Sequence, residues 1–251
     1  MNIQFAVKDD EIYLIEVNPR ASRTVPFVSK SIGHPLAKYA TWLMLGQKLS
    51  DIGFSYKTPE SVSVKETVFP FISFSGADTE LGPEMKSTGE VMGRGENLEE
   101  AFLKAQVAAY QSEIKEGHIF IGVTDQDKQG MVPAALEFQK AGRKILATEG
   151  TYKVLQKAGV TNIEKTSLDR EDPDNIFDYI DRKEVALIVN TTRPRKRSVD
   201  AKHIRRVALM RNLPYFTTVE GTLNIACAIV ATDSGKNLKY KSLLISSKNS
   251  Y

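Results

Sequence analysis

Three polar side chains near the start of the chain follow a short apolar run and are spaced two residues apart. The run at residues 12–15 predicts a β-strand, and Glu16, Asn18 and Arg20 follow it. Because side chains two residues apart point to the same face of a strand, these three could share one side. Carboxylate and amide oxygens are ligands for Mg²⁺, and a guanidinium binds phosphate oxygens. The spacing therefore indicates either a metal and phosphate site or a solvated polar strand end.

The residues before this run form the other half of a predicted hairpin. Residues 2–7 have the pattern of a strand, residues 8–11 that of a turn, and residues 12–17 that of the returning strand. Pairing of the two strands would bring Gln4 close to Glu16 and Asn18. Pro19 ends the ladder because it has no N–H group to donate.

From residue 97 onwards, apolar strand-like runs alternate with amphipathic helical patterns. Asn97 is the predicted N-cap of a helix that ends near residue 112. Strands are predicted at 118–123, 144–147, 162–165, 185–190 and 215–217, and helices at 128–141, 152–158, 173–182, 200–212 and 221–232. Strand–helix alternation with short connections predicts an α/β fold with a doubly wound, parallel, five-stranded sheet.

The stretch between the hairpin and this alternation has weaker patterns. Apolar residues at helical spacing predict a helix over residues 35–45, closed by Gly46. Residues 62–74 are rich in β-branched and aromatic side chains, which predicts an extended segment. The glycines of residues 75–95 predict a long ordered loop, so a domain boundary is expected between residues 95 and 117.

Polar side chains follow the predicted parallel strands at their carboxyl ends, where open α/β sheets bind ligands. Hydroxyls and backbone amides at helix N-termini bind anions, and nearby lysines add positive charge. The alternative for each single residue is an ordinary helix cap. The sequence predicts a phosphate pocket at this edge, and its candidate lining residues are Lys128, Thr148, Thr151, Lys165, Asn190 and Thr192.

No catalytic set accompanies this pocket in the sequence. His34, His118 and His203 lie in contexts typical of structural or solvated histidines. Cys227 lies in an apolar helical pattern, which is typical of a small core residue. A phosphate pocket without a nucleophile or a placed base is typical of a sensor rather than an enzyme.

Composition excludes several classes of protein. A length of 251 residues allows one or two domains. The net charge of +3 is mild and lacks a basic tract interleaved with aromatics, so no nucleic-acid partner is predicted. One cysteine cannot form an internal disulfide, which fits a reducing cytoplasm, and no apolar run of about 18 residues predicts a membrane span. Strand-like sequence at the first residues indicates a part of a larger protein.

Two long motifs resemble a known family. The run Ile15-Glu16-Val17-Asn18-Pro19-Arg20, continued to Lys30, resembles the end of an ATP-grasp domain in the carbamoyl-phosphate synthase large chain. Val64-Lys65-Glu66 and the run from Leu81 to Gly93 resemble the passage towards that family's C-terminal domain. The remainder resembles its regulatory domain, which has a methylglyoxal-synthase-like fold. The resemblance implies a partial ATP-grasp domain and connection at 1–95, a linking helix at 96–116, and an allosteric domain at 117–251.

This resemblance implies an activity and a metal site. The parent enzyme would be an ATP-dependent ligase that makes carbamoyl phosphate, for pyrimidine and arginine synthesis, from bicarbonate, two ATP and ammonia that a glutaminase small subunit releases from glutamine. By similarity, Gln4, Glu16 and Asn18 would hold Mg²⁺ or Mn²⁺ in the second ATP site. Arg20 and Arg23 would contact the transferred phosphate or the product. The chain alone is expected to be inactive, because the nucleotide-covering strands would precede Met1.

The resemblance also implies a regulatory role. The nucleotide-effector site would comprise the six pocket residues together with Asp200, and its ligands would include UMP as inhibitor and IMP as activator. Glu66, Tyr215 and Thr217 resemble part of an ornithine-type site. The regulatory domain is also expected to contribute oligomer contacts.

Some residues depart from the family pattern. Gly122 stands where family members often carry a serine, and residues 160–174 align only with a gap. The basic loop 193–197 allows a more highly charged ligand such as phosphoribosyl pyrophosphate. Two alternatives are a non-catalytic nucleotide-binding or oligomerisation module and a methylglyoxal-synthase-type lyase. The lyase is disfavoured because residues 165–169 lack its Gly-Gly-Asp stretch.

Overall fold

The structure, a computed structural model, describes residues 1–56, 58–69, 87, 89–111, 113–191, 199–233, 238 and 240. It divides into two compact units, Met1–Val62 and Ser63–Leu238. Among the residues described, no helix is long and apolar enough to cross a membrane.

The first unit begins with the predicted hairpin. Strands β1 (Asn2–Lys8) and β2 (Glu11–Asn18) pair antiparallel, and Asp9 and Asp10 form the turn with φ values of 51° and 63°. Positive φ at both turn residues matches the right-handed twist of the strands, and aspartate tolerates it. Helices α1 (Thr24–Ile32), α2 (Leu36–Met44) and α3 (Leu49–Ile52) follow. The sequence analysis missed α1, which has Arg23 at its N-cap without a side-chain cap and a proline in its first turn.

The second unit opens with two strands and a helix that pack together. Strand β3 (Val62–Val68) pairs with β4 (Gly89–Gly95), and helix α4 (Leu98–Tyr110) packs on β4. The expected loop at 75–95 is therefore wrong for its last seven residues, which form β4. Those glycines allow close packing rather than turns: Gly93 and Gly95 are buried, and a Cβ at Gly93 would overlap the backbone of Ala101 and Ala105. Residues 70–74 of the expected extended segment lie outside the described part.

The rest of the second unit is the predicted parallel sheet. Its five strands are β5 (His118–Ile121), β6 (Ile145–Thr148), β7 (Ile163–Thr166), β8 (Val185–Val189) and β9 (Tyr215–Phe216), in the order β7-β6-β5-β8-β9 with every pairing parallel. The helices between them are α5 (Val132–Lys140), α6 (Glu149–Lys157), α7 (Ile176–Asp181) and α8 (Val199–Met210), and α9 (Val219–Asp233) follows β9. The α/β doubly wound fold is confirmed.

Helices cover both faces of this sheet. Ile119 and Ile121 of β5 lie in one core cluster with residues of α4, α5 and α9, while Phe120 lies in a second cluster with residues of α7 and α8. Successive side chains of a strand point to opposite faces, so a strand buried on both sides reads as a continuous apolar run. Helix α4, which was expected only to link two domains, contributes Leu103 to the first cluster.

Gly93→Ala should destabilise the second unit, because the new methyl group would force β4 away from the backbone of α4. We expect the free energy of unfolding to fall by about 1–3 kcal/mol. Glu90→Ala, on the exposed face of the same strand, is the control and should change it by less than about 1 kcal/mol. Urea unfolding followed by circular dichroism measures both, and equal stability of Gly93→Ala and wild type would contradict the packing described.

Candidate functional site

The hairpin brings the three predicted metal-binding side chains together. Gln4 is the direct cross-strand partner of Glu16, so both side chains project from the same face. Asn18 Nδ2 donates a hydrogen bond of 2.8 Å to Glu16 Oε1. Arg20 and Arg23 follow as exposed residues, and the Arg20 amide donates to the Asn18 carbonyl oxygen at 2.8 Å.

These donors suit a hard cation in type. One carboxylate and two amide groups offer oxygen ligands of the kind that Mg²⁺ and Mn²⁺ take. A single carboxylate neutralises only part of a divalent charge, so phosphate oxygens of a bound nucleotide would have to supply the rest. Among the residues that the structure describes, no group of three or more His, Cys, Asp or Glu could hold a metal ion by itself.

In the second unit, the loops after β5 and β8 are tied together at the carboxyl edge of the sheet. Asp127 Oδ2 accepts hydrogen bonds from Thr124 Oγ1 and Thr191 Oγ1, each 2.6 Å long. The Thr124 amide also donates to Thr191 Oγ1 at 3.1 Å. We call the hydrogen-bonded group of Thr124, Asp127 and Thr191 the Asp127 cluster. Strands β5 and β8 are adjacent, and the other strands are added outward on either side of this pair. The Asp127 cluster therefore lies at the topological switch point, where doubly wound folds bind ligands.

The side chain of Lys128 extends from the Asp127 cluster to the start of helix α6. A Cβ added at Gly150 would overlap Lys128 Nζ, so the ammonium lies against the first turn of that helix. The lysine is 17% exposed and forms an ion pair of 2.5 Å with Asp125. Free backbone N–H groups at a helix N-terminus and an adjacent ammonium together favour an anion.

Two predicted threonines lie at the start of the same helix, Thr148 at its N-cap and Thr151 in its first turn. Thr148 Oγ1 donates to Thr151 Oγ1 at 3.2 Å, and Thr151 is fully buried. Helix α6 begins at Glu149, three residues before the predicted start, so Thr151 belongs to the helix itself. Lys128 thus lies at the helix turn that contains Thr151, whose buried hydroxyl also accepts from the Val123 amide at 3.5 Å.

The remaining predicted pocket residues are placed differently. Lys165 is 59% exposed and pairs with Glu149 at 3.2 Å. Asn190 is buried, and its side chain is used within the fold: Nδ2 donates to the Gly122 carbonyl oxygen at 2.6 Å, and Oδ1 accepts from Tyr215 OH at 3.1 Å. Thr192 lies outside the described residues, and the structure describes Asp200 as part of α8 without its side chain.

Glu66 and Tyr215, from the predicted ornithine-type set, lie near residues that the sequence analysis did not single out. Glu66 accepts a hydrogen bond of 2.9 Å from Gln106 Nε2. Tyr110 OH accepts from the Tyr215 amide at 3.1 Å, and its pKa is raised by burial and by the nearby charge of Glu66. Thr217 is exposed. The helix carrying Gln106 and Tyr110 was expected to be only a link, so its polar side chains gave no signal.

Family models match both units. The model described as "Carbamoyl-phosphate synthase L chain, ATP binding domain" matches residues 1–52, and the model described as "MGS-like domain" matches residues 130–217. Carbamoyl phosphate synthase large chains of Mesorhizobium japonicum and Methanobrevibacter smithii are 44% and 46% identical, each over 94% of this chain. The chain belongs to the carbamoyl phosphate synthase large-chain family.

The match concerns the C-terminal part of these relatives. The chain spans 21% and 22% of the length of those two large chains. A protein of Methanocaldococcus jannaschii described as "Carbamoyl phosphate synthase large chain, C-terminal section" is 42% identical over 94% of this chain, which spans 40% of that protein. The carbamoyl phosphate synthase ATP-binding match contains the whole hairpin site, whereas the MGS-like match begins two residues after Lys128.

The second unit also has a groove of about 480 Å³. It runs between α7 and α8, and its lining residues are Arg170, Asp181, His203, Arg206, Val207, Met210 and Arg211. Asp181 Oδ1 and Arg211 Nη2 form an ion pair at a distance of 2.7 Å. Among the described residues of the second unit, none of those predicted for the phosphate or effector site lines this groove.

Thr191→Val tests the structural role of the Asp127 cluster at the switch point. The isosteric change removes the donor to Asp127 and the acceptor for the Thr124 amide, leaving polar groups without these partners. We expect the free energy of unfolding to fall by about 1–3 kcal/mol. Thr232→Val, which removes a hydroxyl that donates to the Ala228 carbonyl oxygen within α9, should have the smaller effect. Denaturant unfolding measures the loss of stability in each variant. A larger loss for Thr232→Val than for Thr191→Val would contradict the structural role of the Asp127 cluster.

Glu66 predicts a pH dependence of stability. Burial raises its pKa, and the hydrogen bond from Gln106 only partly opposes this. The folded chain therefore holds this proton at higher pH than the unfolded chain, and stability declines as pH rises from the unfolded pKa through the folded pKa. Glu66→Gln should raise the midpoint of thermal unfolding near neutral pH and leave it almost unchanged below about pH 4.

Differential scanning calorimetry measures this difference. The matched control is Glu116→Gln, because Glu116 is an exposed carboxylate for which the same change removes one charge. The control should shift the midpoint little at either pH. A lower midpoint for Glu66→Gln near neutral pH would show that the ionised carboxylate stabilises the fold.

Proposed function

We propose that this chain acts as the C-terminal section of a glutamine-hydrolysing carbamoyl phosphate synthase. The whole enzyme is a ligase that makes carbamoyl phosphate from bicarbonate, glutamine-derived ammonia and two ATP for pyrimidine and arginine synthesis. Identity of 42–46% over 94% of the chain to large chains supports this role. A separate glutaminase small subunit supplies the ammonia.

The first unit contributes part of the second ATP site. Gln4, Glu16 and Asn18 hold Mg²⁺ or Mn²⁺, and the cross-strand pairing and the hydrogen bond between Asn18 and Glu16 support this role. The metal neutralises phosphate charge when it is bound with ATP. Arg20 and Arg23 lie directly after the metal ligands in sequence, and their guanidinium groups bind the transferred phosphate or the product.

The second unit contributes a nucleotide-effector site, and the position of Lys128 is the observation that carries this proposal. Its ammonium lies against the first turn of α6, which contains Thr151 and directly follows Thr148. The phosphate of UMP or IMP binds there, with Lys165, Asn190, Thr192 and Asp200 completing the site. An effector regulates the enzyme only through its different affinities for two conformations.

Further contributions belong to the same proposal. The chain is divided into the ATP-grasp part at 1–95, the linking helix at 96–116 and the allosteric domain at 117–251. Glu66, Tyr215 and Thr217 form part of an ornithine-type site, to which the half-buried carboxylate of Glu66 offers a negative charge. The regulatory domain takes part in oligomer contacts.

Calorimetric titration of UMP, IMP and phosphoribosyl pyrophosphate into the 251-residue chain tests the effector site. Lys128→Met should weaken binding about tenfold or more, since a charged hydrogen bond contributes about 1.5–3 kcal/mol. Lys140→Met is the matched control, because Lys140 is 63% exposed and pairs with Glu137 at the end of α5. It should leave the affinity unchanged.

The same titration separates the proposed site from the alternative. Equal weakening by both lysine changes would indicate attraction by overall charge rather than a site at α6. Binding of none of the three ligands would favour a non-catalytic module whose role is oligomerisation. Tight binding that Lys128→Met leaves intact would place the ligand elsewhere.

A further inference from the structure

Both lysines of the strand-end pocket carry a carboxylate partner from this chain. Lys128 Nζ lies 2.5 Å from Asp125 Oδ1, and Lys165 Nζ lies 3.2 Å from Glu149 Oε2. The two carboxylates come from different elements: Asp125 is in the loop after β5, and Glu149 is the first residue of α6. Each positive charge that would attract a phosphate is therefore already partly neutralised.

The two ion pairs differ in how far each side chain is exposed to water. Lys128 is 17% exposed and is held against α6, whereas Asp125 is 89% exposed. The Asp125 carboxylate is therefore far more accessible to water than the ammonium with which it pairs. Both Glu149 and Lys165 are more than half exposed, and Lys153 also pairs with Glu149 at 2.7 Å.

Glu149 is held in its ionised form by these neighbours. Hydrogen bonds from Lys153 and Lys165 lower the pKa of its carboxyl group. Its place in the first turn of α6 also puts a negative charge at the positive end of the helix dipole. An incoming phosphate would meet the same helix end and the same lysines.

We propose that Asp125 and Glu149 are internal counter-ions that compete with a phosphate-bearing ligand for Lys128 and Lys165. This inference rests on the proposed effector site and specifies how its affinity is set. Binding exchanges one carboxylate partner for another anion at each lysine. The net gain is therefore smaller than for a free lysine, and a ligand must present enough charge to displace both carboxylates.

Asp127 has a different role from these two residues, although it lies between Asp125 and Lys128 in sequence. Its carboxylate accepts hydrogen bonds from the hydroxyls of Thr124 and Thr191 and ties two loops together. Its removal would disturb the fold. Asp125 and Glu149 can be changed with far less effect on packing, since both side chains are exposed.

The test is titration of UMP, and of inorganic phosphate, into the 251-residue chain and four variants. Asp125→Asn and Glu149→Gln should each tighten UMP binding roughly two- to fivefold, the range expected for loss of an exposed competing ion pair. The double variant should tighten it further. Glu137→Gln removes the same charge from a carboxylate that pairs with Lys140 on α5, and it should leave the affinity unchanged.

Ionic strength supplies a second readout. Salt at about 0.5 M screens exposed charges, so the ratio between variant and wild-type affinities should shrink towards one. A ratio that persists in high salt would indicate a change of shape in the loop rather than loss of a counter-ion, and would overturn the proposal.

The outcomes distinguish this proposal from the one on which it rests. If wild type binds UMP and the two variants bind no tighter, or bind more weakly, the counter-ion role is wrong while the effector site stands. If neither wild type nor the double variant binds UMP or phosphate, both proposals are wrong. Binding by the double variant alone would support strong competition by the two carboxylates.

Discussion

Parallel alignment of the five strands is the constraint on which the second unit depends. Because every strand runs the same way, the loops after β5, β6 and β8 all emerge at one edge of the sheet. The hydrogen bonds that Asp127 accepts from Thr124 and Thr191 then fix two of these loops against each other. Lys128 directly follows Asp127, so the position of its side chain against α6 depends on the Asp127 cluster. The sheet sets the approximate positions, and a few side-chain bonds set the final geometry.

The two units place their polar groups by different means. In the hairpin, the register of two antiparallel strands puts Gln4 opposite Glu16, and the spacing of two residues puts Asn18 on the same side. In the sheet, groups far apart in sequence lie close together because neighbouring parallel strands end at the same edge. The hairpin offers oxygen atoms to a cation, whereas the sheet edge offers an ammonium and helix N–H groups to an anion. The two arrangements therefore suit ligand groups of opposite charge.

Sequence patterns predicted those features that depend on local spacing. The hairpin, the alternation of strands and helices, and the cap at Asn97 all follow from residues close in sequence, and the structure confirms them. The meeting of Lys128 with the start of α6 followed from a rule about parallel sheets. The Asp127 cluster could not be predicted, because it depends on which rotamers three side chains from two loops adopt. Strand β4 was missed because its glycines pack against a helix, and glycine-rich sequence is more often a turn.

The close contact between β4 and α4 bears on how the second unit could be separated from the rest of the chain. Helix α4 packs on β4 on one side and on α9 on another, so it belongs to the fold that follows it as much as to the strands before it. A shortened chain that began at α4 would expose the surface that Gly93 and Gly95 now cover. Excision at the start of β3 would keep that surface covered, so the choice of starting residue decides whether this face of α4 stays buried.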